Sequence, residues 1–120
     1  MEITISDHNK HVFAELESDV IIINTVDDAL DLLANCAYQG AQRIIIYERN
    51  LNPEFFNLKT KLAGEILQKF SNYNVFLGIV GNFEKFGSSS LKAFIYESNK
   101  RGRIVFAETK EQVKQMLSRN

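Results

Sequence analysis

Four short and almost wholly apolar runs, "VIII", "RIIIY", "VFLGIV" and "RIVFA", limit what this chain can fold into more than any other feature. Each is shorter than a globular helix and too continuously apolar for a strand with one wet face. Each therefore reads as a strand covered on both sides or placed centrally in a sheet. The segments between them carry apolar residues at helical spacing. Buried strands that alternate with helices of this length imply parallel strands joined by crossover helices.

The remaining segments fit that frame. "EITIS" and "HVFAEL" alternate and are separated by the polar cluster "DHNK", which predicts a β-hairpin. Val20–Ile23 is expected to be a third strand. In "NTVDDALDLLANCAYQG", Thr25 and Asp28 form a capping box, Val26, Ala29, Leu30, Leu33 and Ala37 share one face, and Gly40 ends the helix. Asn52 caps a short turn opened by Pro53. A second helix is expected from Leu58 to about Phe70, with Leu58, Leu62, Ala63, Ile66, Leu67 and Phe70 inward. "SSSLKAFIYESNKRG" is a third, with Leu91, Phe94 and Ile95 inside and Gly102 past its end. Thr109 and Gln112 cap a fourth through Val113, Met116 and Leu117. The expected order is β-β-β-α-β-α-β-α-β-α: a single α/β domain over residues 1–120, with a mixed, mostly parallel sheet and flanking helices. Val20–Ile23, Arg43–Tyr47 and Val75–Val80 should lie parallel and adjacent.

Composition sets several functions aside. At 120 residues, with one proline and six glycines, the chain suits one domain without a flexible linker. No apolar run approaches the roughly 20 residues that span a bilayer. The opening "MEITISDHNK" lacks the basic and then apolar pattern of a signal peptide, and Cys36 is the only cysteine. The expectation is a cytoplasmic protein without a disulfide, a zinc cluster or a membrane segment. Charge is uneven: residues 1–58 hold ten acids and three bases, and residues 85–120 hold eight bases and three acids. The basic residues are not interleaved with exposed aromatics and no nucleic-acid module signature appears, so solvated faces of opposite sign are the simpler reading.

In open α/β sheets ligands sit beyond the carboxyl ends of parallel strands. Here those ends are Asn24–Thr25, Glu48–Arg49–Asn50 and Gly81–Asn82. The helix mouth in "EFFNLKTKLAGEILQKF" should border the same rim, and first-turn amides beside two lysines favour anions. The candidate partner- or anion-binding residues are therefore Arg49, Asn57, Lys59, Thr60, Lys61 and Asn82. "GNFEKFGSSSL" has neither P-loop nor dinucleotide spacing and reads as a loop with a serine cap. His8 and His11 lie at a hairpin turn with too few further ligands for a metal. Cys36, near a helix C-terminus, reads as a buried and inert thiol. Asp27, Asp28 and Asp31 suit a helix start. No catalytic motif and no cofactor signature stands out.

Two family resemblances attach to these residues. The order of elements resembles the STAS fold of anti-sigma-factor antagonists, which carry a D-S-[ST]-G-[LIV] segment at a helix mouth. Laid over it, "FNLKTKLAG" sets Thr60 near the phosphoacceptor and Leu62 on the following apolar position. Leu58, Lys59 and Lys61 replace the motif's Asp, one serine and the glycine. "DALDLLANCAYQGA", "PEFFNLKTKLAGEILQKFSNYNVFLGIVGNF" and "SLKAFIYESNKRGRIVF" resemble the bacterial family catalogued as domain of unknown function 4180. That family has D-L-[KR]-T-G-L-A-G-E, so Asn57 and Lys61 replace an acid and a glycine, and Asn82 stands where it tends to have Asp. This resemblance implies a fold and no activity.

The expected function is a non-enzymatic cytoplasmic binding or regulatory protein that presents the rim near Asn57 to a protein partner. The alternative is a small-molecule or anion-binding protein, with or without catalysis, that uses the loops at the carboxyl strand ends. A third reading is a self-associating module that pairs through the hairpin edge as a homodimer. A closed pocket with converging polar groups favours the second, and a flat apolar patch the first.

Overall fold

A computed structural model describes residues 1–119. Its five-stranded sheet consists of β1 (Glu2–His8), β2 (His11–Glu17), β3 (Arg43–Tyr47), β4 (Phe76–Val80) and β5 (Ile104–Ala107), in that spatial order. β1 and β2 pair antiparallel across Asn9 and Lys10, both at positive φ, as a two-residue hairpin of the twist-matched kind requires. β2 through β5 are parallel. The helices are α1 (Val26–Tyr38), α2 (Leu62–Asn72), α3 (Ser89–Arg101) and α4 (Lys110–Leu117). None is long and apolar enough to cross a membrane.

The strand order never reverses, so right-handed crossovers bring α1, α2 and α3 to one face of the sheet. That face holds the larger core, where Ala29, Leu33 and Cys36 of α1, Ile66 and Phe70 of α2 and Leu91 of α3 meet Leu16, Ile44, Ile46, Leu77 and Ile79. The opposite face is covered by α4, whose Val113 and Leu117 pack on Phe13, Ile45, Val80 and Val105. A Cβ on Gly78 would fall 2.0 Å from Val113 Cγ1, so this glycine sets how closely α4 sits on the sheet.

The capping boxes at Thr25–Asp28 and Thr109–Gln112, the Asn52 cap and the left-handed Gly102 cap are all present. Two expected elements differ. Val20–Ile23 is not a strand, and its only sheet-like feature is a parallel bridge from Ile23 to Leu51. β2 occupies the place beside β3 instead, leaving Val20 66% and Ile21 45% exposed. The amides of Ile22 and Ile23 both donate to the single carbonyl of Asn50, at 2.7 and 3.0 Å, which bends the segment out of a ladder. The second helix starts at Leu62 rather than Leu58, because Leu58–Thr60 is a 3₁₀ turn and Lys61 is left-handed, with φ of 66°. Ala63, Ile66 and Phe70 of α2 are buried, as are Phe55 and Phe56 ahead of it.

Candidate functional site

The carboxyl ends of β3, β4 and β5 open onto a rim built by three loops. After β3, a 3₁₀ turn (Glu48–Asn50) folds Asn50 completely into the interior. Its side-chain carbonyl accepts from Tyr47 N–H at 2.9 Å. Its amide donates to the carbonyls of Ser18 and Val20, at 2.9 and 3.0 Å. After β4, Gly81 and Asn82 lead to a 3₁₀ turn (Glu84–Phe86), left-handed Gly87 and the Ser88 cap of α3. A Cβ on Gly81 would lie 2.9 Å from Glu48 Cβ and 3.2 Å from Phe83, so only glycine lets the β3 and β4 loops meet here. After β5, Glu108 precedes the Thr109 cap.

Beneath these loops lies an aromatic platform. Phe56 stacks on Phe86 with centroids 4.7 Å apart, and Phe83 stands edge-on to Phe106 at 5.2 Å. Phe55 and Phe94 each approach Phe106 at 6.3 Å. The platform fixes the 83–86 turn against the core, which preorganises the surface above it.

Three recesses surround this turn. The largest, about 630 Å³, has Phe83, Ile95 and Phe106 among its walls, with Asn82, Glu84, Ser88, Ser89, Lys92 and Glu108 as polar groups. A second, about 540 Å³, shares Gly81, Asn82 and Glu108 with it and adds Glu48, Arg49 and Lys85. Lys85 and Glu48 form an ion pair of 2.5 Å across the two loops. A third, about 510 Å³, shares Ser88 with the first and is lined by Pro53, Phe56, Asn57, Lys59 and Phe86. Residues 81–90 thus carry one continuous, corrugated surface with apolar depressions and polar ridges.

The sequence-derived candidates are divided among these depressions. Arg49 and Asn82 border the second recess, and Asn57 and Lys59 the third. Lys61 lies further along, beside Leu58, Gly64 and Gln68. Arg49 also holds the preceding loop, its Nε 3.2 Å from Ser18 carbonyl and its guanidinium over the Tyr47 ring. Asn57 and Asn82 each cap the turn that follows them. The Thr60 hydroxyl is 2.8 Å from the carbonyls of both Glu54 and Asn57 and accepts from Leu62 N–H at 3.3 Å, so it joins two turns to the start of α2. Phe83, Lys92, Ile95, Phe106 and Glu108 were not among the candidates. Lys92, Ile95 and Phe106 have the periodicity of ordinary surface and core, Phe83 and Glu108 lie in loops, and only the path of the loops turns the five toward a shared depression.

Other candidate chemistry falls elsewhere. Cys36 is fully buried, and burial pushes its thiol up to about 11. His8 and His11 face one another across the hairpin. Among the described residues no cluster of three or more His, Cys, Asp or Glu is placed to hold a metal.

Comparison with known proteins gives one finding. The family model described as domain of unknown function DUF4180 matches residues 8–117. No curated protein and no solved structure matches the chain.

Proposed function

We propose, for a chain that belongs to the DUF4180 family, a binding or regulatory role in which the surface around residues 81–90 receives a polypeptide segment. The observation that carries this reading is the continuity of the three recesses around one preorganised turn. An extended segment needs successive apolar depressions with polar groups between them, and rigid walls lower its binding cost. Arg49 and Asn82 lie at one end of this surface and Asn57 and Lys59 at the other, so four of the residues read from sequence become its flanks. The regulatory aspect rests on the STAS-like order of elements, a likeness of fold that carries no activity by itself. The same reading takes the location to be cytoplasmic, and the buried free thiol of Cys36 supports it.

One observation favours a second reading. The largest recess, taken alone, has the volume of a small-molecule site and an apolar wall with several polar groups at its mouth. A photo-reactive benzophenone side chain at Ser89, on the lip of that recess, separates the two. The same group at Asp31, exposed on α1, is the control. Irradiation in lysate should give protein-sized adducts at position 89 and not at 31, and Lys92→Glu should reduce them. Equal labelling at both positions would overturn the proposal. A co-purifying small molecule seen by native mass spectrometry, with no protein adduct, would transfer the site to the second reading.

A further inference from the structure

The two edges of the sheet are treated very differently. On β5, residues 104 and 106 point their backbone groups away from β4, and α3 closes them off. Asn99 accepts from Phe106 N–H at 2.8 Å and donates to Phe106 carbonyl at 3.2 Å. Ser98 donates to Ile104 carbonyl at 2.5 Å. These side chains occupy the positions that another strand would take.

β1 has no such cover. His8 and His11 close the hairpin as a hydrogen-bonded pair, so by alternation the N–H and C=O groups of Ile3, Ile5 and Asp7 point outward. No described residue bonds to them there. β1 runs seven residues in unbroken register and contains no lysine, proline or bulge, and its two acids, Glu2 and Asp7, sit near its ends. Ile5 is 40% exposed at that edge, on the face it shares with Ala14.

We infer that β1 pairs antiparallel with β1 of a second copy, about a two-fold axis through Ile5. Only residues with outward backbone groups can form the hydrogen-bonded pairs. With Ile5 opposite Ile5, the remaining ones fall into place: Ile3 opposite Asp7, and Asp7 opposite Ile3. This register uses the whole length of both strands, whereas a shift of two residues either way leaves outward groups unpaired. It also sets Glu2 opposite His8 at both ends, a carboxylate facing an imidazole that offers an N–H. On one face the two Ile5 side chains cover each other, a favourable cross-strand contact. Because the β5 edge is closed, the pairing cannot propagate, and the product is a closed dimer with one continuous sheet rather than a fibre.

Sedimentation of the full chain should give twice the 13.7 kDa monomer mass at about 10–100 µM. Ile5→Lys, which opposes two ammonium groups at the axis, should raise the dissociation constant about tenfold or more. Its melting curve reports whether the monomer still folds. A second variant keeps the inference testable if it does not. Ile5→Cys should crosslink to itself on mild oxidation, because opposed residues of a pair lie within disulfide reach. Thr4→Cys should not, since Thr4 faces Ser6 of the second copy. Monomeric parent chain across that range, or crosslinking at position 4 in preference to 5, would overturn the inference.

Discussion

Lys61 carries a left-handed backbone, with φ of 66°, at the junction between the Leu58–Thr60 turn and α2. A side chain there costs about 1–2 kcal/mol through contact between Cβ and the following carbonyl. Glycine escapes that cost but loses more entropy on folding. Lys61→Gly should therefore stabilise the protein by about 0.5–1 kcal/mol, seen as a higher urea midpoint at unchanged slope. A lower midpoint would mean that the lysine side chain gives the fold more than its backbone takes. The sequence alone concealed this position, because helical spacing runs unbroken from Leu58 to Phe70. The glycine that the family resemblance sets here was the usable signal. Asn50 left no such trace: an asparagine after an apolar strand ordinarily reads as a solvent-facing turn. It is fully buried and ties Tyr47, Ser18 and Val20 together. Asn50→Ala leaves Tyr47 N–H and Val20 carbonyl without their side-chain partner and takes one of two donors from Ser18 carbonyl, which keeps Arg49 Nε, and should cost about 1–3 kcal/mol in urea unfolding. It should also make residues 18–23 the first site of limited proteolysis.

Among the elements, those whose identity rests on one local rule were legible. Capping boxes, terminal glycines and the alternating hairpin all sit where residues within four or five positions dictate them. Val20–Ile23 was misread because an apolar run cannot say which strand stands beside β3, and β2 takes the place first. The mouth of α2 was misread because Thr60 is held by a carbonyl six residues earlier, a contact that periodicity does not encode. α4 depends on a similar unannounced contact, its approach to Gly78. Gly78→Ala should push Val113 off the sheet at a cost of about 1–3 kcal/mol, the usual range for overpacking. Hydrogen exchange would locate the damage: amides of α4 should lose protection before those of α1 and α2. Uniform loss across all helices would mean that the two faces of the sheet do not yield separately.

At the scale of the whole molecule, part of the uneven charge along the chain is paired internally. Among the described residues, Glu48 meets Lys85, and Glu15 meets Lys110 and Lys114 at 3.0 and 2.9 Å, so early acids meet late bases. Glu15 has the most consequence, since it joins β2 to α4 and accepts from Ser6 of β1 at 2.6 Å. Burial alone would raise its pKa. The Ser6 hydroxyl and the ammonium groups of Lys114 and Lys110 outweigh burial and hold the carboxyl at about 2, against 4.5 for an ordinary glutamate. A depressed carboxyl contributes stability above its unfolded pKa and loses it as pH falls through the folded one. The window here runs from about 4.5 down to about 2, and the shift corresponds to something on the order of 3 kcal/mol. Glu15→Gln should thus be less stable than the parent by about 1–3 kcal/mol at neutral pH. Urea unfolding at successively lower pH should show the two proteins converging, the parent falling toward the variant between pH 4.5 and 2. A gap that stayed constant to pH 2 would show that Glu15 acts through shape and hydrogen bonding rather than charge, beside Val113, Leu117 and the Arg43 hydrogen bond to Leu117 carbonyl that also hold α4 to the sheet.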